Sequence, residues 1–188
     1  MERGEIILLS GTSSSGKSTI AKGLQERFNK SFLHLKLDGF IEMLPRTDDW
    51  AMFQQMIHGM NRAIAAMAEV GNNLIVDHVL IDNAWLNQCL LLLSRNYVLF
   101  VGVDCPLEEL ERREQERDAR RQGFARQQFE NIHKGKIYDV RVNTFELNPD
   151  ECVERVIMFY KNEKPTAFQK MRTEIKKAQR TGLKAKDF

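Results

Sequence analysis

The segment Gly11-Thr12-Ser13-Ser14-Ser15-Gly16-Lys17-Ser18 stands one residue after the apolar run Ile6-Ile7-Leu8-Leu9. No other feature narrows the fold as much, because the spacing G-x-x-x-x-G-K-[ST] between a strand and a helix builds a phosphate cradle from main-chain N–H groups. Gly11 and Gly16 permit backbone angles and close approach that a Cβ would block. Lys17 supplies a point charge for the β- and γ-phosphates, and the Ser18 hydroxyl suits Mg²⁺. A helix expected from Thr19 to about Phe28 aims its positive end at the anion. Thr12, Ser13, Ser14, Ser15 and Thr19 complete the expected nucleotide contacts. A Gly/Ser-rich loop matching by chance is the alternative, and the flanking strand and helix weigh against it.

Short apolar runs alternate with helical stretches along the chain, the pattern of a parallel sheet with crossover helices. Strands are expected at Glu5–Ser10, Phe32–Leu37, Asn73–Asp77, Tyr97–Val103 and Ile137–Asn143. Helices fill the gaps: Asp49 to about Val70, Asn83–Leu93, Leu107 to about Gln122, and Asp150–Tyr160 as the last packed one. The expected fold is therefore α/β, a five-stranded parallel sheet with helices on both faces. No repeat or linker divides residues 1–160, which read as one domain.

The three cysteines, Cys89, Cys105 and Cys152, are widely spaced and lack a C-x-x-C pair, so neither a disulfide framework nor a zinc site is expected. With no apolar run long enough to cross a membrane, the expected setting is the cytoplasm. Net charge is +2 but uneven. Residues 161–188 hold nine Lys/Arg against Glu163, Glu174 and Asp187, a net +6, which leaves −4 for the remainder. That basic extension reads as a partly helical, solvated tail. A basic tail can also meet nucleic acid or an anionic membrane, but it lacks interleaved aromatics, which argues against a stacking surface for nucleic acid.

Open α/β sheets place their chemistry at the carboxyl ends of the strands. Acids stand there: Asp38 after the second strand, Asp77 closing Leu74-Ile75-Val76, and Asp104 before Cys105-Pro106. Asp77 has the setting of a carboxylate that holds or orients Mg²⁺, with a structural role as the alternative. Asp38, followed by Gly39 and by Phe40, Ile41, Met43 and Leu44, has that of a general base, with a helix N-cap as its alternative. Asp104 is expected to shape a turn. In the charged run Glu111–Arg121, Arg113, Arg117 and Arg120 recur at helical spacing. They suit an arginine-bearing lid that closes over the phosphates, the alternative being a solvated helix laced with Glu–Arg pairs. An apolar wall beyond Asp38 would draw on Phe40, Met43, Leu44, Trp50, Met52, Phe53 and Met56, with Val79, Leu80 and Trp85 opposite. His78 is a candidate for touching acceptor or water. The Met residues equally suit simple packing.

Gly11–Ser18, Leu37-Asp38-Gly39-Phe40-Ile41-Glu42-Met43-Leu44-Pro45, Leu74-Ile75-Val76-Asp77-His78-Val79-Leu80, Val101–Cys105, Arg113-Glu114…Arg117-Asp118…Arg120 and His133–Thr144 together resemble the chloramphenicol phosphotransferase-like family. The resemblance covers roughly residues 5–160. It implies a P-loop kinase of the nucleotide-kinase-like fold with a helical arginine lid, using ATP and Mg²⁺ to phosphorylate a small-molecule hydroxyl. By that resemblance Asp38 is the base. Lys17, Arg117 and Arg120 stabilise the transferring phosphoryl, Ser18 and Asp77 hold the metal, Arg113 belongs to the nucleotide site, and the loop Thr144–Pro149 lies near the adenine. Asp38, Phe40, Met43, Trp50, Phe53 and His78 are the expected acceptor contacts. The sequence departs from the family pattern at Asn143 and His78 and in a shorter segment from Pro45 to Gly71, where the family binds its acceptor. Three functions stay open: an O-phosphotransferase with a chloramphenicol-like antibiotic as the leading acceptor, a nucleoside, nucleotide or sugar-nucleotide kinase, and a nucleotide switch. The oligomeric state is open too.

Overall fold

A computed structural model of the chain describes residues 2–45, 49–116 and 122–180. Five strands form the sheet: β1 (Ile6–Ser10), β2 (Leu33–Lys36), β3 (Leu74–His78), β4 (Val98–Asp104) and β5 (Val140–Asn143). Their order is β2-β3-β1-β4-β5 and every pair is parallel. The middle strands are apolar almost throughout because both faces are covered. Ile6 and Leu8 enter one core while Ile7 and Leu9 enter the other, and in β4 Val98 and Phe100 separate likewise from Leu99 and Val101. This is the period-2 alternation of strand side chains applied to central strands covered on both faces.

One face carries α1 (Lys17–Arg27) and α7 (Pro149–Asn162), which bury Ile20, Leu24, Cys152 and Val156. The other carries α3 (Trp50–Glu69) and α4 (Asn83–Leu92), burying Ile57, Met60, Ile64, Trp85 and Cys89. The helix starts are chemically marked. Asp49 caps α3 by accepting from the Ala51 and Met52 N–H groups, and Asn148 with Glu151 forms a reciprocal capping box on α7. All three cysteines are free and buried.

Three expectations need correction. The second strand stops at Lys36, and Leu37 and Asp38 pass straight into a short helix, α2 (Leu37–Ile41). The helix expected to run to Gln122 ends at Gln115 as α5 (Leu107–Gln115), and a separate helix, α6 (Phe124–Ile132), follows. Glu114 of α5 ties the two helices together: its buried carboxylate accepts from the Gly123 N–H at 3.0 Å and the Ala125 N–H at 2.8 Å and so caps the start of α6. Finally, α7 is not the last packed helix. In the basic extension α8 (Ala167–Arg180) buries Ala167, Phe168, Met171 and Ala178, with the Phe168 ring edge-on to Phe100 at 5.4 Å. The Asp139 carboxylate clasps its start, accepting from Phe100 N–H at 2.9 Å, Thr166 N–H at 2.6 Å and Ala167 N–H at 2.8 Å.

Candidate active site

The phosphate loop links β1 to α1. A Cβ at Gly11 would lie 2.6 Å from both the Val103 carbonyl oxygen and the Ser15 hydroxyl, so Gly11 answers a steric need. Gly16 answers a conformational one, with φ 91 at the N-cap of α1. Ser14 holds φ 63, a costly angle for a side-chain-bearing residue that concentrates at functional loops. The Ser14 and Ser15 hydroxyls are buried and have no hydrogen-bond partner among the described residues. A loop with unmatched buried hydroxyls, a helix N-terminus behind it and no room for side chains fits a polyphosphate. One amide of the loop is already engaged: the Ser13 N–H donates to Gln128 Oε1 of α6 at 2.7 Å.

Lys17 is buried, donates to the Thr12 carbonyl at 2.7 Å and lies 3.6 Å from Asp77 Oδ1. Ser18 Oγ donates to Asp77 Oδ2 at 2.5 Å. The register that pairs Leu9 with Asp77 sets this geometry, since it brings the end of β3 level with the start of the loop. The Ser18 hydroxyl and the Asp77 carboxylate are two adjacent hard oxygens that fit Mg²⁺. Among the described residues no cluster of three or more His, Cys, Asp or Glu could hold a metal ion.

Two cavities open from the loop. One, of about 470 Å³, is lined by Ser14, Gly16, Thr19, Ile20, Arg113 and residues Thr144–Pro149. Arg113 is anchored here: its guanidinium donates to Glu109 at 2.7 Å, to Thr144 Oγ1 at 3.0 Å and to the Thr144 carbonyl at 2.9 Å. The Arg112 and Arg113 guanidiniums hold the Glu109 carboxyl down at about 2. Arg113 is thus tied to this cavity. Arg117 and Arg120, and with them the centre of the expected lid, lie outside the described residues.

The other cavity, of about 460 Å³, lies on the β3 and β2 side of the loop. Its floor is the phosphate loop with Lys17, Ser18 and Thr19. Asp38, Leu37, Ile41 and Asp77 form one flank, Trp50, Phe53, Val79, Ile81 and Trp85 another, and Phe124, Gln127 and Gln128 of α6 close it. Adjacent strands are roughly 4.8 Å apart, so β2 stands about 10 Å from β1, with β3 and its Asp77 between the phosphate loop and the strand that leads to Asp38. Trp50 and Phe53 are stacked, with centroids 5.3 Å apart and planes 18° apart, and the Trp85 indole N–H donates to Gln54 at 2.6 Å.

Several expected contacts fall elsewhere. Once Leu37–Ile41 is helical, Leu37, Asp38 and Ile41 face the cavity, while Phe40 packs on the core and Met43 is exposed at 67%. A Cβ at Gly39 would meet nothing within 4 Å, so close approach does not require glycine there. His78 is fully buried behind the wall, 3.2 Å from Asn61 Oδ1, and burial lowers its imidazole to about 4. Asp104 is paired with Arg141 and lies 3.2 Å from His133, away from both cavities. The α6 contacts were missed because Gly123 reads as the end of a charged helix. Phe124, Gln128 and Ile132, four residues apart, were the signal available.

The family model of chloramphenicol phosphotransferase-like proteins matches residues 4–161. A Mycobacterium tuberculosis protein carrying the provisional name of an O-phosphotransferase is 27% identical over 201 aligned positions, covering 92% of this chain and 89% of the relative. Among solved structures, the Mycobacterium tuberculosis APS kinase in complex with AMPPNP and APS superposes with a TM-score of 0.68 at 18% identity, over 86% of this chain and 100% of that one. A gluconokinase from Sinorhizobium meliloti gives 0.59 at 16%, over 93% and 96%. A tunicamycin resistance protein of Deinococcus radiodurans gives 0.63 at 18%, over 84% and 96%. No helix among the described residues is long and apolar enough to cross a membrane. With a nucleotide-binding phosphate loop set in the five-stranded sheet of P-loop kinases, the chain belongs to the chloramphenicol phosphotransferase-like family and is an enzyme of the kinase and phosphotransferase class.

Proposed function

We propose that this enzyme transfers the γ-phosphoryl group of ATP to a hydroxyl of a small molecule bearing an aromatic or similarly flat apolar part. The observation that carries this reading is one cavity in which Asp38 shares walls with Lys17, Ser18 and Asp77 on one side and with Trp50, Phe53 and Trp85 on the other. The purine is assigned to the cavity between Arg113 and the Thr144–Pro149 loop, and the phosphates to the loop amides and Lys17.

Ser18 and Asp77 would hold Mg²⁺ together with the phosphates, and the ion would supply neutralisation of the charge that develops on them. Asp38 accepts the proton of the acceptor hydroxyl as its oxygen attacks the γ-phosphorus. The bond to the β–γ bridging oxygen breaks, ADP leaves, and the proton stays on Asp38 until it exchanges with water. Lys17, with Arg117 and Arg120 in the lid role, stabilises the transferring group, and a closed lid excludes water that would otherwise hydrolyse ATP.

A chloramphenicol-like antibiotic is the leading acceptor. The stacked Trp50–Phe53 pair equally suits a nucleobase, which keeps a nucleoside as the second reading. ADP release measured across chloramphenicol, other hydroxylated antibiotics and nucleosides, with Asp38→Asn as control, tests the mechanism. Wild-type turnover by Asp38→Asn sinks it.

A further inference from the structure

A third cavity, of about 680 Å³, adjoins the proposed acceptor cavity. The two share Trp50, Ile81 and Trp85, which form their common border. Their chemistry differs. Beyond the apolar wall, Asn83 and Asn87 lie one turn apart on the open face of α4, and Asn131 and Lys134 face them from the end of α6. Both sides are braced. Asp82 caps α4 by accepting from the Ala84 N–H at 2.7 Å, which fixes the turn carrying Asn83. Lys136, itself buried, donates to the Asn131 carbonyl at 3.1 Å and the Lys134 carbonyl at 3.5 Å, underpinning the loop that presents those two side chains.

Three carboxamides offer donors and acceptors together, and the two charged lining residues, Lys134 and Asp82, are of opposite sign, a combination that matches neutral hydroxyls better than it matches an ion. Trp50, 60% exposed, supplies a broad apolar face at the border of the two cavities, suited to the C–H face of a sugar ring. We infer that this cavity is an outer subsite of the acceptor site that binds a neutral polyhydroxylated arm, so that an aromatic alcohol bearing a sugar gains affinity over its bare counterpart. The inference rests on the phosphotransferase reading above and adds the substrate class. A simple aromatic alcohol would fill the inner cavity and leave the outer one to water.

The chain has two tryptophans, Trp50 and Trp85, and both border the two cavities, so its intrinsic fluorescence reports binding directly. The probes are 4-(hydroxymethyl)phenyl β-glucoside, its aglycone 4-(hydroxymethyl)phenol, and chloramphenicol, whose arm is an amide. The glucoside is expected to bind at least about tenfold tighter than the aglycone, the gain of one or two good hydrogen bonds. Asn131→Leu and Asn83→Leu should erase that gain and leave aglycone affinity unchanged. Asn131 is exposed, so its substitution does not put folding at stake. Equal affinity of glucoside and aglycone, or variants that weaken both alike, overturns the inference. So does loss of chloramphenicol binding in the Asn variants to the same degree as the glucoside. ADP release separates the two readings. Asn-dependent glucoside binding with no transfer to any acceptor rejects the phosphotransferase reading and keeps the subsite. Equal kcat/KM for glucoside and aglycone rejects the subsite and keeps the transferase.

Discussion

Replacing Phe168 with Ala tests whether the basic C-terminal segment belongs to the fold or merely to the surface. The Phe168 ring is 5% exposed, lies edge-on to Phe100 at 5.4 Å and sits in the core cluster that includes Leu90, Val98 and Trp85. Truncating such a ring removes its transfer free energy and leaves a cavity, a cost of about 3–5 kcal/mol. In a domain of this size each kcal/mol moves the midpoint by roughly 2–4 °C, so a drop of about 6–20 °C is expected. The control is Lys170→Glu with Lys176→Glu, both exposed, where the change should stay within about 0.5 kcal/mol. Differential scanning calorimetry and ADP release on the same samples give both readouts. At temperatures where Phe168→Ala remains folded its turnover should be near that of the wild type. A Phe168→Ala midpoint within 2 °C of the wild type, or loss of activity on reversing the lysine charges, would refute the packing argument and make charge the tail's contribution. Deleting residues 162–188 should accordingly destabilise the protein, because it takes Ala167, Phe168, Met171 and Ala178 out of the core.

Asp38→Asn should lower kcat by about 10²–10⁴-fold while nucleotide affinity, followed by a fluorescent ATP analogue, stays within a few-fold. Arg113→Ala should weaken nucleotide binding more than it lowers kcat, since Arg113 lines the cavity assigned to the base; the reverse split would move it into the chemistry. Burial lowers the Lys136 ammonium to about 8, against the partial support of Asp82. The unfolded chain, with an ordinary lysine near 10.5, then binds more protons between those two values. Stability contributed by this group therefore rises as pH climbs from about 8 toward 10.5, and chemical denaturation of Lys136→Met across that window should lose the trend.

The sheet was legible because its strands are short apolar runs bounded by polar residues, and a doubly covered parallel strand leaves that trace whatever surrounds it. The phosphate loop was legible because its constraints are local: a steric one at Gly11 and a dihedral one at Gly16. Glu114 was not, because a carboxylate amid arginines has the composition of a surface ion pair, and only the fold reveals that two amides nine and eleven residues on require it. The C-terminal helix misled for a related reason. Phe168, Met171, Ile175 and Ala178 recur at helical spacing, but nine cations around them dominate the average. Which side chains close the cavity over Asp38 depends on where α6 returns to the loop, and no local pattern encodes that. Phe40 and His78 look as suitable as Trp85 until the helix phase of α2 and the burial of β3 separate them.

Ser14, Gly16 and Thr19 line both cavities that open from the phosphate loop, so a partition one loop thick divides the two compartments. Any compound that occupies both must carry its tether over that partition. Linker length then outranks the identity of either end. An adenosine joined to an aromatic alcohol by too few phosphates can seat one half at a time and gains nothing over the single fragments. At the matching length the second half binds at an effective concentration in the millimolar range or above, and each added phosphate beyond it erodes the advantage slowly. The loop therefore acts as a ruler, and a series of tethered ligands would read its span in solution.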